Sequence, residues 1–337
     1  MKEYIQKIQQ KDNLTRAEIE DIMKAIMTGK AADQDISDLL LALNAKGPTV
    51  DELTGAAVIM REFSIPVKTK HKVVLDTCGT GGDGKDTFNI STVAAFVVAG
   101  AGVVVAKHGN RSVSSRCGSA DVLEEMGVNL NFEQRHLGAC LDEVGIAFLF
   151  AQKLHPAMKN VAAVRKKLGV KTIFNILGPL TNPARATHQM IGVYSRDLIE
   201  PVARVLKNLG SIRAIVVHGS DGLDEITTTG KTFVAELQSG NITCYDVDPA
   251  ELGFEASCDA DLRGGDVKQN IGIARRILEG RRGPQRDIVV LNAAYALYTA
   301  QRAQTISEGL QMAGEAIDSG SALKKLQQLE AFTNKHG

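Results

Sequence analysis

From residue 72 onward, short runs rich in β-favouring residues alternate with stretches whose apolar residues have helical spacing. The runs are KVVLDT at 72–77, VVVAKHG at 103–109, IAFLF at 146–150, HQMIGVY at 188–194 and RAIVVHG at 213–219. Because parallel strands need long crossover connections, which are usually helices, this alternation predicts a mainly parallel sheet covered by helices. Two later runs, KTFVAEL and ITCYDV, predict a hairpin, and after Asp266 the pattern is helical almost to the end.

The first 64 residues contain only helical patterns, at 14–27, 35–44 and 50–63. Thr15 and Glu18 form a capping-box pattern at the start of the first of them. Residues 65–71 have the composition of a linker. The predicted fold class is therefore α/β, with a small N-terminal helical domain at residues 1–65 and a large α/β domain with a mainly parallel sheet at residues 72–337.

Charge and cysteine content argue against several classes of protein. The chain has 39 Lys and Arg against 39 Asp and Glu, so it has no general attraction for nucleic acid. No apolar run reaches the length needed to span a membrane. The five cysteines are scattered, with no C-x-x-C pair, which argues against a disulfide scaffold or a zinc site. We therefore expect no nucleic-acid partner, no membrane partner and a cytoplasmic location.

A glycine loop, GTGGDGK at 79–85, follows the first predicted strand. Glycines in this position let backbone N–H groups approach and surround an anion. The spacing matches a dinucleotide fingerprint, but the next helix starts only near Ser91 and the next strand ends in the basic pair Lys107-His108. The loop also resembles an ATP-binding P-loop, but Asp86 stands where that motif needs Ser or Thr. We therefore expect an anion site of neither type, with a plain tight turn as the alternative.

Other polar segments follow the later strands. NIST at 89–92 predicts a helix cap, a phosphate site at a helix N-terminus, or both. KHGNRSVSS at 107–115 concentrates anion-binding groups and suits a polyphosphate, although a solvated loop can have the same composition. Asp224-Glu225 offers two carboxylates to a hard cation. Arg165 is either a carboxylate-binding residue or, like Lys166-Lys167 beside it, part of a solvated charged face.

Together these segments resemble the anthranilate phosphoribosyltransferase family of tryptophan biosynthesis. The matching motifs are DTCGTGGDGKDTFNIST, VVVAKHGNRSVSSRCGSADVLEEMG, HPAMKNVAAVRKKLGVKTIFNILGPLTNPA and VVHGSDGLDEIT, and they extend the likeness over nearly the whole chain. The resemblance implies a nucleoside phosphorylase-like fold and a homodimer built on the helical lobe, which part of 155–185 joins. It implies transfer of the phosphoribosyl group of phosphoribosyl pyrophosphate (PRPP) to the amine of anthranilate, with Mg²⁺ as the metal and diphosphate as the second product.

The resemblance also implies a set of site residues. Those for PRPP are Gly79, Gly82, Asp83, Thr87, Asn89, Ile90, Ser91, Thr92, Lys107, His108, Gly109, Asn110, Arg111, Ser112, Val113, Ser114, Ser115 and Ser119. Those for anthranilate are Gly79, Asn110 and Arg165, and those for magnesium are Ser91, Asp224 and Glu225. No residue is assigned as a certain catalytic group, but Lys107 and Arg165 are expected to support catalysis.

An aromatic amine is neutral near pH 7 and carries a free lone pair, so this reaction needs no strong general base. Magnesium and Lys107 are expected to stabilise the departing diphosphate, while Arg165 and Asn110 position the amine. Pyrimidine nucleoside phosphorylases share the architecture but would need no metal, and Asp224-Glu225 argues against them. A catalytically silent relative that binds nucleic acid would need a basic surplus, which the chain lacks.

Overall fold

The computed structural model describes residues 1–111 and 117–337, so the predicted site residues Ser112, Val113, Ser114 and Ser115 lie outside the described residues. The chain begins with a helical lobe, whose helices are α1 Lys2–Gln9, α2 Arg16–Met27, α3 Asp33–Lys46 and α4 Val50–Glu62. The last three confirm the predicted helices, and the capping box of Thr15 and Glu18 opens α2 as predicted. Helix α1 was not predicted, because only Ile5 and Ile8 on it are buried apolar residues.

A seven-stranded sheet forms the centre of the second lobe in the described part of the chain. Its strands are β1 Leu75–Gly79, β2 Val105–Gly109, β3 Ile146–Phe150, β4 His188–Gly192, β5 Arg213–Gly219, β6 Thr232–Gln238 and β7 Asn241–Val247. Their order is β3-β2-β1-β4-β5-β6-β7. Neighbouring strands from β3 to β5 are parallel, whereas β6 is antiparallel to both of its neighbours, β5 and β7. The predicted hairpin turns at Ser239-Gly240, both with left-handed backbone. The predicted fold class is confirmed.

Helices cover the sheet and extend to the C-terminus. They are α5 Ile90–Gly100, α6 Ser119–Glu125, α7 Leu137–Glu143, α8 Ala151–Leu154, α9 Lys159–Leu168, α10 Ile173–Leu180, α11 Ile199–Asn208, α12 Val267–Leu278, α13 Pro284–Thr299, α14 Ile306–Asp318 and α15 Ser321–Lys335. None of the helices in the described ranges combines the length and the apolar character needed to cross a membrane.

The sheet separates two apolar cores, because successive residues of a strand point to opposite faces. On β5, Ile215 and Val217 belong to the core that includes α5 and α13. Ala214 and Val216 belong to the other core, which includes the N-terminal helices, α9, α10 and α11. The helical lobe packs against α9, α10 and α11, which lie on this side of the sheet, while the domain boundaries predicted above stay a prediction.

Arg61, near the end of α4, ties the helical lobe to the ends of two later helices. Its buried guanidinium donates from Nε to the Leu180 carbonyl oxygen at 2.8 Å and from one terminal nitrogen to the Leu209 carbonyl oxygen at 3.5 Å. Leu180 ends α10, and Leu209 caps α11. Burial lowers the pKa of Arg61 to about 10, so the group stays charged at neutral pH, where a cation stabilises the carbonyl end of a helix.

The strand order places a binding crevice between β1 and β4. The chain adds β2 and β3 on one side of β1, and then returns to place β4 on the other side. In an open parallel sheet, ligands bind outside the carboxyl ends of the strands at such a reversal. The loops that follow β1, β2, β4 and β5 all emerge at this edge, because these strands are parallel.

Candidate active site

The loop after β5 inserts Asp224 between the ends of β1 and β4. Gly79 and Gly192, the last residues of these strands, are paired in register. A Cβ atom on Gly79 would lie 2.2 Å from Asp224 Oδ2, and one on Gly192 would lie 1.5 Å from the Asp224 carbonyl oxygen. The Gly81 N–H donates to Asp224 Oδ2 at 2.8 Å. Only glycine at positions 79 and 192 therefore lets this carboxylate reach the glycine loop.

Asp224 and Glu225 form a buried acidic pair beside the start of α5. The Ser91 N–H donates to Glu225 Oε1 at 3.2 Å. Burial raises the pKa of Asp224 to about 7, and the nearby Asp83 carboxylate adds to the rise. Burial and the charge of Asp224 raise the pKa of Glu225 to about 8, against the opposing effect of Lys107. Mutual repulsion of this kind is what a bound cation relieves.

Lys107, on β2, brings a buried positive charge to the same place. Its Nζ donates to the Thr77 carbonyl oxygen and, at 3.2 Å, to Ser91 Oγ. Burial lowers the pKa of this amine, while the carboxylates of Asp76, Glu225 and Asp224 act in the opposite direction. The family resemblance implied that Lys107, Ser91 and the acidic pair belong to one site, and the structure brings them together.

The donor set fits a magnesium ion that a substrate helps to bind. No group of three or more His, Cys, Asp or Glu side chains within residues 1–111 and 117–337 could hold a metal. Mg²⁺, however, is usually bound through one or two carboxylates together with substrate phosphates and water. Asp224, Glu225 and the Ser91 hydroxyl supply such oxygen donors.

Two side chains, Asp221 and Asn292, hold the loop that carries the acidic pair, and the sequence predicted neither role. Asp221 accepts hydrogen bonds from the hydroxyls of Thr227, at 2.6 Å, and Thr229, which closes the base of the loop. Asn292, buried on α13, accepts from the Ile226 N–H at 3.0 Å and donates to the Ile226 carbonyl oxygen at 2.8 Å. The residue after Glu225 is therefore held on both of its backbone polar groups.

The glycine loop presents unpaired backbone donors. Gly81, Gly82 and Gly84 have left-handed backbone, with φ of 64°, 76° and 74°. The N–H groups of Gly82, Asp83 and Gly84 have no hydrogen-bond partner among the described residues. Since α5 begins only at Ile90, this loop does not open directly into a helix, as the sequence indicated. Its geometry is that of an anion-binding loop.

The loop is fastened at its start to the chain that continues β4. The Thr80 N–H donates to the Gly192 carbonyl oxygen at 2.9 Å, and the Tyr194 N–H donates to Thr80 Oγ1 at 3.0 Å. At its far end, Thr87 forms a β-bridge with Arg263. The residues between Thr80 and Thr87 thus span from one anchored point to another.

The segment at the start of α5 uses most of its polar groups within the protein. Asn89 donates to the Cys117 carbonyl oxygen and accepts from Asn270, each at 3.2 Å. Ile90 and Thr92 are buried, and their N–H groups donate to the carbonyl oxygens of Phe88 and Asn89, at 2.7 Å and 3.1 Å. Their assignment to PRPP stays a prediction.

Residues Asn110 and Arg111, which follow β2 in the polar segment 107–115, are held by contacts with α6. Ser119 Oγ donates to the Asn110 carbonyl oxygen at 3.2 Å, and Gly109 packs against Ser119 and Phe148. Arg111 forms ion pairs at 2.7 Å with Asp121 and Glu124. The guanidinium predicted to bind PRPP therefore already has two acidic partners, which the sequence analysis missed although they lie only 10 and 13 positions further along the chain.

Arg165 differs from the two lysines that follow it. It is half-buried, with its guanidinium 5.4 Å from the Phe174 ring, whereas Lys166 and Lys167 are exposed. Burial lowers the pKa of Arg165, and no acidic side chain pairs with it among the residues described. Of the two interpretations left open by the sequence, the solvated charged face applies to the lysines and not to Arg165.

Two buried histidines connect β2 with the segment that carries Arg165. The rings of His108 and His155 lie 5.1 Å apart, and His108 Nδ1 is 3.2 Å from the Gly178 carbonyl oxygen on α10. Burial lowers the pKa of His108 to about 3 and that of His155 to about 4, so both are neutral. The sequence gave His155 no role beyond opening a helix, because nothing local indicates that it meets His108.

Family comparison supports the division seen in the fold. The helical bundle domain of a glycosyl transferase family matches residues 2–64, and the a/b domain of a glycosyl transferase family matches residues 71–323. The fold and the site therefore define a glycosyl transferase. Anthranilate phosphoribosyltransferase of Moorella thermoacetica is 53% identical over 332 residues, which are 98% of this chain and 98% of the relative. The chain belongs to the anthranilate phosphoribosyltransferase family.

Solved structures of this family have the same fold as this chain. The crystal structure of anthranilate phosphoribosyltransferase from Thermus thermophilus is similar with a TM-score of 0.93 and 41% identity, covering 98% of this chain and 99% of that one. The enzyme from Saccharomyces cerevisiae in complex with PRPP and Mg is similar with a TM-score of 0.88 and 28% identity, covering 96% and 94%.

Proposed function

We propose that this protein transfers the phosphoribosyl group of PRPP to the amine of anthranilate, giving N-(5-phosphoribosyl)anthranilate and diphosphate in the second step of tryptophan biosynthesis from chorismate. The observation that carries the proposal is the meeting of the glycine loop with Asp224-Glu225 at the reversal of strand order. Free backbone donors for a diphosphate and oxygen ligands for a cation lie there side by side. The family relationship supports the same activity.

In the mechanism, the glycine loop binds the diphosphate through its N–H groups, and the positive end of the α5 dipole adds to the attraction. Bound Mg²⁺ supplies Lewis-acid stabilisation of the leaving group, with Asp224, Glu225 and Ser91 as its proposed protein ligands. Lys107, held beside Ser91 at 3.2 Å, adds a fixed positive charge close to the developing negative charge.

On the acceptor side, Arg165 has the properties of a carboxylate-binding residue. Its guanidinium is half-buried and has no acidic partner in the described structure, so the carboxylate of anthranilate would complete a charge-assisted pair. Asn110 and Gly79 are proposed to line the same pocket. The neutral amine attacks the anomeric carbon while the bond from that carbon to the diphosphate oxygen breaks. The amine then loses a proton to solvent or to the diphosphate. No side chain needs to act as a strong base.

Three further properties belong to this proposal. The protein is proposed to be a homodimer that associates through the helical lobe, where Leu41 on α3 exposes 44% of its surface. It is proposed to act in the cytoplasm, on small molecules and not on nucleic acid or membranes. Light scattering on the purified protein tests the dimer, for which a monomer of 36.1 kDa is the opposing result.

The proposed reaction is tested by mixing the protein with anthranilate, PRPP and Mg²⁺ and following the loss of anthranilate fluorescence. The signal should disappear when EDTA removes the metal and should return with excess Mg²⁺. A parallel reaction with thymidine and inorganic phosphate tests the phosphorylase alternative. Turnover there, with none of anthranilate, would refute the proposal.

A further inference from the structure

Lys171 contacts the glycine loop from the short connection between α9 and α10. Val161 on α9 and Ile173 on α10 share the core of the N-terminal helices. Gly169 ends α9 in the left-handed conformation, and the Thr172 N–H is held by Asn175 Oδ1 at 2.9 Å. The backbone on both sides of Lys171 is therefore fixed, so its side chain reaches out from a defined point.

The Lys171 ammonium group makes two contacts, both with the α/β lobe. Its Nζ donates to the Gly82 carbonyl oxygen at 2.6 Å and lies 3.9 Å from the centre of the Tyr194 ring. Tyr194 also fastens the start of the glycine loop through its N–H bond to Thr80. One exposed lysine thus joins three segments: the glycine loop, the chain just after β4 and the connection between α9 and α10.

The bond to the Gly82 carbonyl also determines the orientation of the next N–H group, because a peptide bond is planar and trans. In such a bond the C=O of Gly82 and the N–H of Asp83 point in opposite directions, so a group that fixes one also fixes the other. Lys171 therefore sets the direction of the Asp83 N–H. That N–H is one of the loop donors without a partner among the described residues. Because Gly82 has φ of 76° and no side chain, little else restrains this peptide plane.

We infer that Lys171 is a positioning residue for PRPP, which orients the Gly82–Asp83 peptide plane so that its N–H faces the diphosphate. The inference rests on the proposed function and goes beyond it, because Lys171 acts through the loop and not by contact with the substrate. An exposed lysine of this kind contributes little to global stability, so its replacement is not expected to disturb folding. The effect falls on one substrate and spares the other.

The test compares Lys171→Met with the matched variant Lys167→Met, an exposed lysine on α9. KM is measured for each substrate by anthranilate fluorescence, PRPP binding by calorimetry, and the unfolding temperature by differential scanning. Lys171→Met should raise both the KM and the dissociation constant for PRPP by about tenfold, with less than about a twofold change in KM for anthranilate and an unchanged unfolding temperature. Lys167→Met should behave as the wild type.

Lys171→Gln separates positioning from direct binding of phosphate. Its neutral amide can still donate to the Gly82 carbonyl, so a positioning role predicts that much of the PRPP affinity lost in Lys171→Met is restored. If glutamine is as poor as methionine, the positive charge itself binds the substrate and the inference is wrong. It is also wrong if Lys171→Met binds PRPP as the wild type does. A wild type that binds PRPP without consuming anthranilate would instead refute the proposed function and leave the binding comparison decisive for Lys171.

Discussion

Replacing Gly192 by alanine should damage the site from a position that carries no functional group. The added Cβ would lie 1.5 Å from the Asp224 carbonyl oxygen and 2.4 Å from its carbon. Ordinary contact needs about 3.4 Å, so the Asp224 backbone would have to retreat by about 2 Å. That movement breaks the bonds from Gly81 N–H to Asp224 and from Ser91 N–H to Glu225.

The size of the effect follows from these two bonds. Because the pKa values of Asp224 and Glu225 lie at about 7 and about 8, the ordinary range of about 0.5–1.5 kcal/mol for each bond applies at neutral pH, so losing both costs about 1–3 kcal/mol of unfolding free energy. With about 2.1 cal/mol/K per residue, unfolding this chain of 337 residues has an entropy of about 0.7 kcal/mol/K, which gives a Tm lower by about 1–4 °C. Displacing the acidic pair should also lower kcat/KM by at least about 100-fold.

Differential scanning calorimetry and the fluorescence assay measure both quantities. Gly314→Ala on α14 is the matched control, because its new Cβ would meet nothing closer than an Arg286 nitrogen at 4.0 Å. Alanine in a helix should stabilise by about 0.5–1 kcal/mol without changing activity. If Gly192→Ala unfolds at the wild-type temperature with wild-type activity, Asp224 does not need the space that glycine leaves, and the reasoning fails.

Three other predictions address the metal, the acceptor and the lobes. Asp224→Asn with Glu225→Gln should abolish activity at ordinary Mg²⁺; full activity would remove them from the metal site. Arg165→Ala should raise KM for anthranilate at least tenfold, from a loss of about 2–5 kcal/mol, while Lys167→Ala stays silent; the reverse order contradicts the assignment. Arg61→Met should lower the free energy of unfolding, measured in urea, by about 1–3 kcal/mol and leave kcat/KM unchanged. Unchanged stability would contradict the role of Arg61 at the ends of α10 and α11.

The fold was largely predictable because its signals are local. The helical spacing at 14–27, 35–44 and 50–63 and the strand runs each occur within a dozen or so residues, and the structure confirms them. The glycine loop and the acidic pair were also visible, since each is a short cluster after a strand. Their meeting was implied by the family resemblance, and the fold explains it, because parallel strands end at one edge of a sheet.

Other site features left no local pattern. Asn292 holds Ile226 across 66 positions, and Lys171 holds Gly82 across 89, so each role exists only after the chain has folded. Asn292 lies in an apolar helical run where one amide has no distinguishing spacing. For Arg111, the sequence showed a basic residue in a polar loop but not its two acidic partners, which lie on the next helix.

The shared apolar core has a consequence for unfolding. The two matched families divide the chain near residue 65, but the core of the first part includes Val161 on α9, Leu177 on α10 and Leu206 on α11. The N-terminal helices pack against these three helices, so removing residues 1–64 would expose their apolar faces to water, and neither part is a thermodynamic unit. The whole chain should melt in one cooperative step, and a fragment cut at the boundary should aggregate instead of refolding.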